Sequence, residues 1–300
     1  MNRLPAFILI AVFACVLLAP LPTSTTAPAA APLPTPTMAP TATPQPWPTP
    51  TPFPTVTPYP TAWPTSTPLP PDTGWQTLES GLELRRIRLT TSEGAEQMTV
   101  IRVNPEMWSL QVHYNPDEPQ PVSGWVGKLR ATVVVNGNYF TTENTTTGLL
   151  ISDGVRWGTP YGSFAGMLAV TPAGSTTVRW LSDQPYDPAE PLAYAIQSFP
   201  VLVKPGGILG FPADADDGSP ARRTVVAEDF QGSILLIVAP HGKLSLHGLS
   251  LFLTNSDLGI HTALNLDGGT STGLWLNTEK EPVVIDSLVA VPSVLSVSRR

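Results

Sequence analysis

The sequence predicts an α+β fold: a sheet-dominated single domain with few short helices, preceded by a signal segment and a disordered Pro/Thr-rich linker. Three observations point there. Beyond residue 73, short segments alternate apolar and polar side chains, the period of a half-buried strand. Asp-Gly and Pro-Ala-Gly steps punctuate them as turns. Between Arg3 and Asp72 there is no charged residue, and that stretch holds more than half of the 36 prolines.

Met1 to Ala6 carries one positive charge, Arg3, and Phe7 to Leu18 is an unbroken apolar run closed by Ala19-Pro20. A bilayer span needs roughly 20 apolar residues, so residues 1–19 read as a signal peptide, with a membrane anchor as the alternative. Val12-Phe13-Ala14-Cys15 also resembles a bacterial lipoprotein cleavage box, with Cys15 as the residue that would carry lipid. The protein is therefore expected to be exported, either secreted or attached to the cell surface through its N-terminus. Residues 20–72 repeat Pro, Thr, Ala and Ser and bury too little apolar surface to offset chain ordering. Proline biases such a stretch to polyproline II, whose rise of about 3.1 Å per residue gives a reach on the order of 150 Å. A stalk is the expected role.

Residues 73–300 are expected to form the folded domain. Leu84 to Leu89, Met98 to Val103 and Ser109 to Tyr114 alternate as strands. Ser123 to Arg130 reads as a short helix before Ala131 to Val135, a β-branched run expected to be buried on both faces. Hairpins are expected around Asp153-Gly154, Pro172-Ala173-Gly174 and Glu228 to Gly232. Ser250 reads as the N-cap of a helix over Leu251 to Leu258, with Gly259 just past its end and a strand over Ile260 to Leu266.

The net charge is −7 and no basic block occurs, so no nucleic-acid partner is expected, and membrane contact is expected only through the N-terminal segment. Cys15 is the only cysteine, which leaves the domain without a disulfide or a thiolate metal site. His113, His241, His247 and His261 show no zinc-ligand spacing. No nucleophile-elbow serine, Walker loop or Rossmann glycine pattern is present, and no metal or cofactor is called for.

Three polar clusters remain. In Asp267-Gly268-Gly269-Thr270-Ser271, glycines allow the backbone to turn N–H groups into one concavity that suits an anion, with the Ser271 hydroxyl and a carboxylate beside it; a tight turn with Asp267 bonding its own backbone is the alternative. In Asn136-Gly137-Asn138-Tyr139-Phe140, Asn136 can donate to and accept from a sugar hydroxyl, and the aromatics could flank a ring. Arg222-Arg223 opens a strand, so the two side chains face opposite ways and at most one can fork a given phosphate. His247 is an acid/base candidate near the strand ends.

These pieces, in order, resemble the phosphodiester glycosidase family. The matching stretches are Val135 to Phe140, Gly148 to Gly154, Arg223-Thr224, Ser245 to Leu251, Leu258-Gly259 and Ala263 to Gly269. Asn138, Arg222 and Thr270 depart from the family's usual Gly, Pro and Gly. The resemblance implies a hydrolase cleaving a glycosyl phosphodiester, with a carbohydrate or glycosyl-phosphate substrate. It implies Asp267 as the working carboxylate and Arg223 with the Gly268 and Gly269 amides on the phosphate. Asn136 would then hold the sugar, and Gln197, Ser271 and His247 would lie nearby. A glycan- or wall-binding module without turnover is the alternative.

Overall fold

The computed structural model describes residues 71–300. The signal segment, Cys15 and nearly all of the Pro/Thr-rich linker lie outside the described residues. The first strands are β1 (Gln76–Glu79), β2 (Leu82–Thr91), β3 (Gly94–Val103) and β4 (Trp108–Tyr114), followed by helix α1 (Val122–Leu129) and β5 (Val133–Asn136). Next come β6 (Leu150–Ser152), β7 (Val155–Trp157), β8 (Gly166–Val170), β9 (Thr176–Trp180), β10 (Tyr194–Ser198), β11 (Val201–Lys204) and β12 (Ile208–Leu209). The last third holds β13 (Ala221–Asp229), β14 (Ile234–Leu244), helix α2 (Leu246–Asn255), β15 (Ile260–Asn265), β16 (Leu274–Leu276), β17 (Val283–Ile285) and β18 (Ser293–Arg299).

They form one eight-stranded sheet, ordered β1-β2-β3-β14-β13-β15-β11-β12, and two five-stranded sheets, β7-β6-β10-β8-β9 and β17-β16-β5-β18-β4. The domain is thus sheet-dominated, as the alternation pattern requires. All three sheets turn one face into a common core: Leu84, Val226 and Leu264 from the large sheet meet Leu168 and Ile196 from the second and Val133 and Leu295 from the third. The other face of the large sheet is covered by α2, whose Leu249 and Leu253 pack on Val225, Ala227 and Ile237. This is why β13 and β14 are apolar on both sides. β5 is buried on both faces too, since Val133 and Val135 face the common core while Val134 packs with α1 through Trp125.

Local turn chemistry also follows the sequence. Asp153 and Gly154 both take positive φ, 50° and 74°, the demand of a type I′ turn, and β6 pairs β7 across them. The α2 boundary differs from expectation. Ser245, not Ser250, caps the helix, accepting from the Gly248 amide at 3.1 Å. Ser250 sits inside α2, wholly buried, with its hydroxyl bonded to the Leu202 carbonyl. Both serines have capping chemistry, and the tertiary contact to β11 decides between them.

Candidate active site

β15 ends at Asn265, and residues 266–273 cross from the large sheet to β16 in the third. Asn136, at the end of β5, fastens this crossing. Its Nδ2 donates to the Asp267 carbonyl at 2.7 Å, while its Oδ1 accepts from the Thr224 hydroxyl at 2.7 Å and the Gly273 amide at 3.1 Å. Its exposure is 0%. The expectation that Asn136 holds a sugar is therefore corrected: its amide is fully spent inside the fold, and it positions the Asp267 segment. Gly137 serves the same joint. Its carbonyl accepts from the Asp267 amide at 3.1 Å, and a Cβ there would lie 2.2 Å from the Ser293 hydroxyl. Asn136→Ala would leave a buried carbonyl, amide and hydroxyl unpaired at once. At about 1–3 kcal/mol for each such group, it is expected to lower stability by several kcal/mol, read as an earlier urea midpoint.

Arg223 and Asp267 come together through strand register. β13 and β15 pair Val225 with Asn265 and Val226 with Leu264, and the Leu266 amide donates to the Thr224 carbonyl at 2.8 Å. The same register, continued, sets Asp267 opposite Arg223, so both side chains start from one face. Gly268 lies against this strand, where a Cβ would meet the Arg222 carbonyl at 2.7 Å. Arg222 points to the other face and donates to the Thr272 and Asp286 carbonyls. Arg223 is half-buried, held by the Leu244 and Ser219 carbonyls at 3.2 and 2.9 Å. Among the described residues no carboxylate lies within 4.0 Å of its guanidinium. Burial holds the guanidinium below the usual arginine range, with Tyr139, Asp216 and Asp217 pulling it back up.

Burial raises the Asp267 carboxyl above the ordinary aspartate value; the Ser271 hydroxyl and the Gly268 amide, at 2.8 Å, draw it part-way back. The Gly268 amide is thus spent on Asp267 itself, which removes it from the pair of amides expected to meet an anion. Gly269, at φ 60°, opens the short turn that carries Ser271, and its amide has no acceptor among the described residues.

Tyr139 lies within electrostatic reach of both charged groups. Its hydroxyl accepts from Asn265 Nδ2 at 2.8 Å, which leaves its own proton without an acceptor among the described residues. Burial and the Asp267 carboxylate push the phenol up to about 12, against Arg223 and Asn265, so it remains a neutral donor at physiological pH. Sequence reading took Tyr139 only as a ring that could flank a sugar; its placement near both Asp267 and Arg223 depends on the β5–β15 junction. Phe140, the other aromatic of that motif, packs toward the α1 core.

His247 lies in the first turn of α2, its amide on Asp216 at 3.1 Å and its Nδ1 on the Phe211 carbonyl at 3.0 Å. A carbonyl only accepts, so Nδ1 carries the proton and Nε2 is left as the free nitrogen. Asp216, in turn, acts on Arg223, which puts His247 on the arginine flank. Gln197, expected to touch substrate, has an exposure of 0% and instead accepts from the Tyr161 amide at 2.7 Å. Asp257 pairs with Arg85 and does not join the site. Glu228 sits at the other end of β13, roughly 17 Å from Arg223 at 3.4 Å per residue. There it lines a polar cleft of about 620 Å³ and accepts from the Val178 amide. Among the described residues, no three His, Cys, Asp or Glu side chains gather to hold a metal ion.

The fold is found in solved structures. The zebrafish N-acetylglucosamine-1-phosphodiester α-N-acetylglucosaminidase catalytic domain, auto-inhibited by its pro-peptide, aligns at a TM-score of 0.59 and 20% identity, over 75% of this chain and 86% of that one. A Synechocystis protein aligns at 0.55 and 16%, over 77% and 64%. A Burkholderia pseudomallei protein described as exported aligns at 0.50 and 14%, over 68% and 74%. No curated protein sequence matches the chain. The family model for phosphodiester glycosidases matches residues 130–298, a span that runs from the end of α1 to β18 and contains Asn136, Arg223 and Asp267. The chain belongs to the phosphodiester glycosidase family.

Proposed function

We propose that this protein is an exported hydrolase that cleaves the bond between a sugar's anomeric carbon and a phosphodiester in a cell-surface or extracellular glycan. The feature that carries this is the register of β13 and β15, which, continued past Val225 and Asn265, sets Arg223 opposite Asp267, with the neutral Tyr139 phenol within electrostatic reach of both. Family membership supports the reaction class, and the apolar run and Pro/Thr-rich stretch at the N-terminus support export and display on a stalk.

The chemistry fits the groups present. The leaving group is a phosphate monoester, whose second pKa is about 6. It departs as a stable anion and needs little protonation, unlike the alcohol of an ordinary glycoside. One carboxylate therefore suffices at the anomeric carbon, either as nucleophile or as base for water, and that is Asp267. Arg223 and the Gly269 amide neutralise charge growing on the phosphate, and Tyr139 supplies a further hydrogen-bond donor. Water adds its hydroxyl to the anomeric carbon, its proton passes to Asp267, and the phosphate leaves with the glycosidic oxygen.

Hydrolysis of methyl phosphodiesters of hexose 1-phosphates in ¹⁸O-water checks the bond broken. The label is expected in the released sugar. Label in the phosphate would mean P–O cleavage and defeat the assignment. Saturable binding with no product from any diester would favour the glycan-binding alternative.

A further inference from the structure

Beside Asp267 lies an aromatic shelf that neither charged group explains. Phe199, just ahead of β11, packs on Tyr139 at 4.9 Å between ring centroids, on Tyr161 at 5.4 Å and on Phe164 at 5.7 Å. Phe164 is 60% exposed and Phe199 36%, so the shelf opens to solvent. The fold commits buried groups to holding it. Gln197 fixes the Tyr161 backbone, and Gly148 makes room for the Tyr161 ring, which a Cβ would approach to 2.5 Å. Asn265 Nδ2 bonds both the Tyr139 hydroxyl and, at 3.1 Å, the Phe199 carbonyl, which ties the shelf to the strand that leads into Asp267.

Strand order states which part of a substrate the shelf meets. Across this end of the large sheet the order is β14-β13-β15-β11. Arg223 is on β13, Asp267 follows β15 and Phe199 precedes β11, so Arg223 and the shelf flank Asp267 on opposite sides. At about 4.8 Å per strand, their backbones stand roughly 10 Å apart, comparable to a sugar ring joined to one phosphate. The Tyr139, Tyr161 and Thr147 hydroxyls border the shelf. The rings meet at interplanar angles from 36° to 82° and so form a faceted apolar cleft edged with hydroxyls; that suits a pyranose, which has an apolar C–H face and a polar rim, whereas a hydrocarbon chain would leave the Tyr139 proton without an acceptor.

We propose that Tyr161, Phe164 and Phe199 form the subsite for the glycosyl ring, a pyranose stacked by its C–H face while its phosphate turns to Arg223. The assignment of the ring to the glycosyl side rests on Asp267 being the carboxylate at the anomeric carbon. The test uses the full chain with methyl and hexyl phosphodiesters of glucose, galactose, mannose and N-acetylglucosamine 1-phosphates. Phe164→Ala is expected to raise KM about tenfold, equivalent to about 1.4 kcal/mol, with the loss in KM rather than kcat and the same factor for methyl and hexyl esters. Phe164→Trp should restore affinity. An unchanged KM, or a penalty that grows with the hexyl group, overturns the proposal. If the wild type hydrolyses none of the diesters, calorimetry on Asp267→Asn separates the two ideas. Diester binding that weakens about tenfold on adding Phe164→Ala keeps the shelf as a sugar subsite and removes the hydrolase; no binding removes both.

Discussion

Asp267→Asn is expected to lower kcat on a glycosyl phosphodiester by about 10²–10⁴-fold, the range for a positioned acid or base, with the fold intact. The substituted side chain keeps an oxygen that accepts from the Gly268 amide, and the Asn136 bond runs to the residue's backbone carbonyl, which the substitution leaves in place. The wild-type pH profile should share this cause. The ionised form does the work, so activity rises with pH through the carboxyl's folded pKa. Burial moves that limb above the ordinary aspartate value of 3.8. Stability runs the other way. A carboxyl whose folded pKa is raised favours the folded state while protonated, and that contribution is lost as pH climbs through the folded value. At neutral pH the wild type carries a buried charge that a neutral amide removes, so the Asp267→Asn variant should melt at an equal or higher temperature. A lower Tm together with lost activity would point to structural damage instead.

Arg223→Ala should cost about 10²–10³-fold in kcat, the scale of removing one fixed donor from a developing anion. The guanidinium is half-buried, and with no carboxylate within 4.0 Å among the described residues its charge is offset only at longer range, by Asp216 and Asp217, which leaves it able to take a direct anionic partner. Arg223→Lys should recover little, because a lysine ammonium cannot hold the Leu244 and Ser219 carbonyls and still present a planar fork. Arg222→Ala provides the contrast. Its guanidinium props the Thr272 and Asp286 carbonyls on the opposite face, so its loss should appear in stability before chemistry. Near-normal turnover by Arg223→Ala would remove the phosphate role.

Much of the fold was legible because it is fixed locally. The Asp153-Gly154 hairpin is written in its φ requirement, and the β-branched run around Val134 in its lack of any polar face. Alternation along a strand also separates Arg222 from Arg223, which is why only one of the two was expected on the side of Asp267. What could not be read depends on distant partners. Asn136 has the same chemistry whether it meets a sugar or a buried backbone; the Gly273 amide and the Asp267 carbonyl, far along the chain, decide it. Gln197 was misassigned for the same reason, through Tyr161. Phe164 and Phe199 carry no local signal of exposure, and only the assembled fold leaves them facing water.

The crossing held by Asn136 makes the seam between two sheets and the placement of Asp267 a single object. Mutational drift there is punished twice, once as unfolding and once as inactivity. New substrate preferences are then expected to be acquired at the periphery, at Phe164 and Phe199, whose exposed side chains can be exchanged without unzipping the domain.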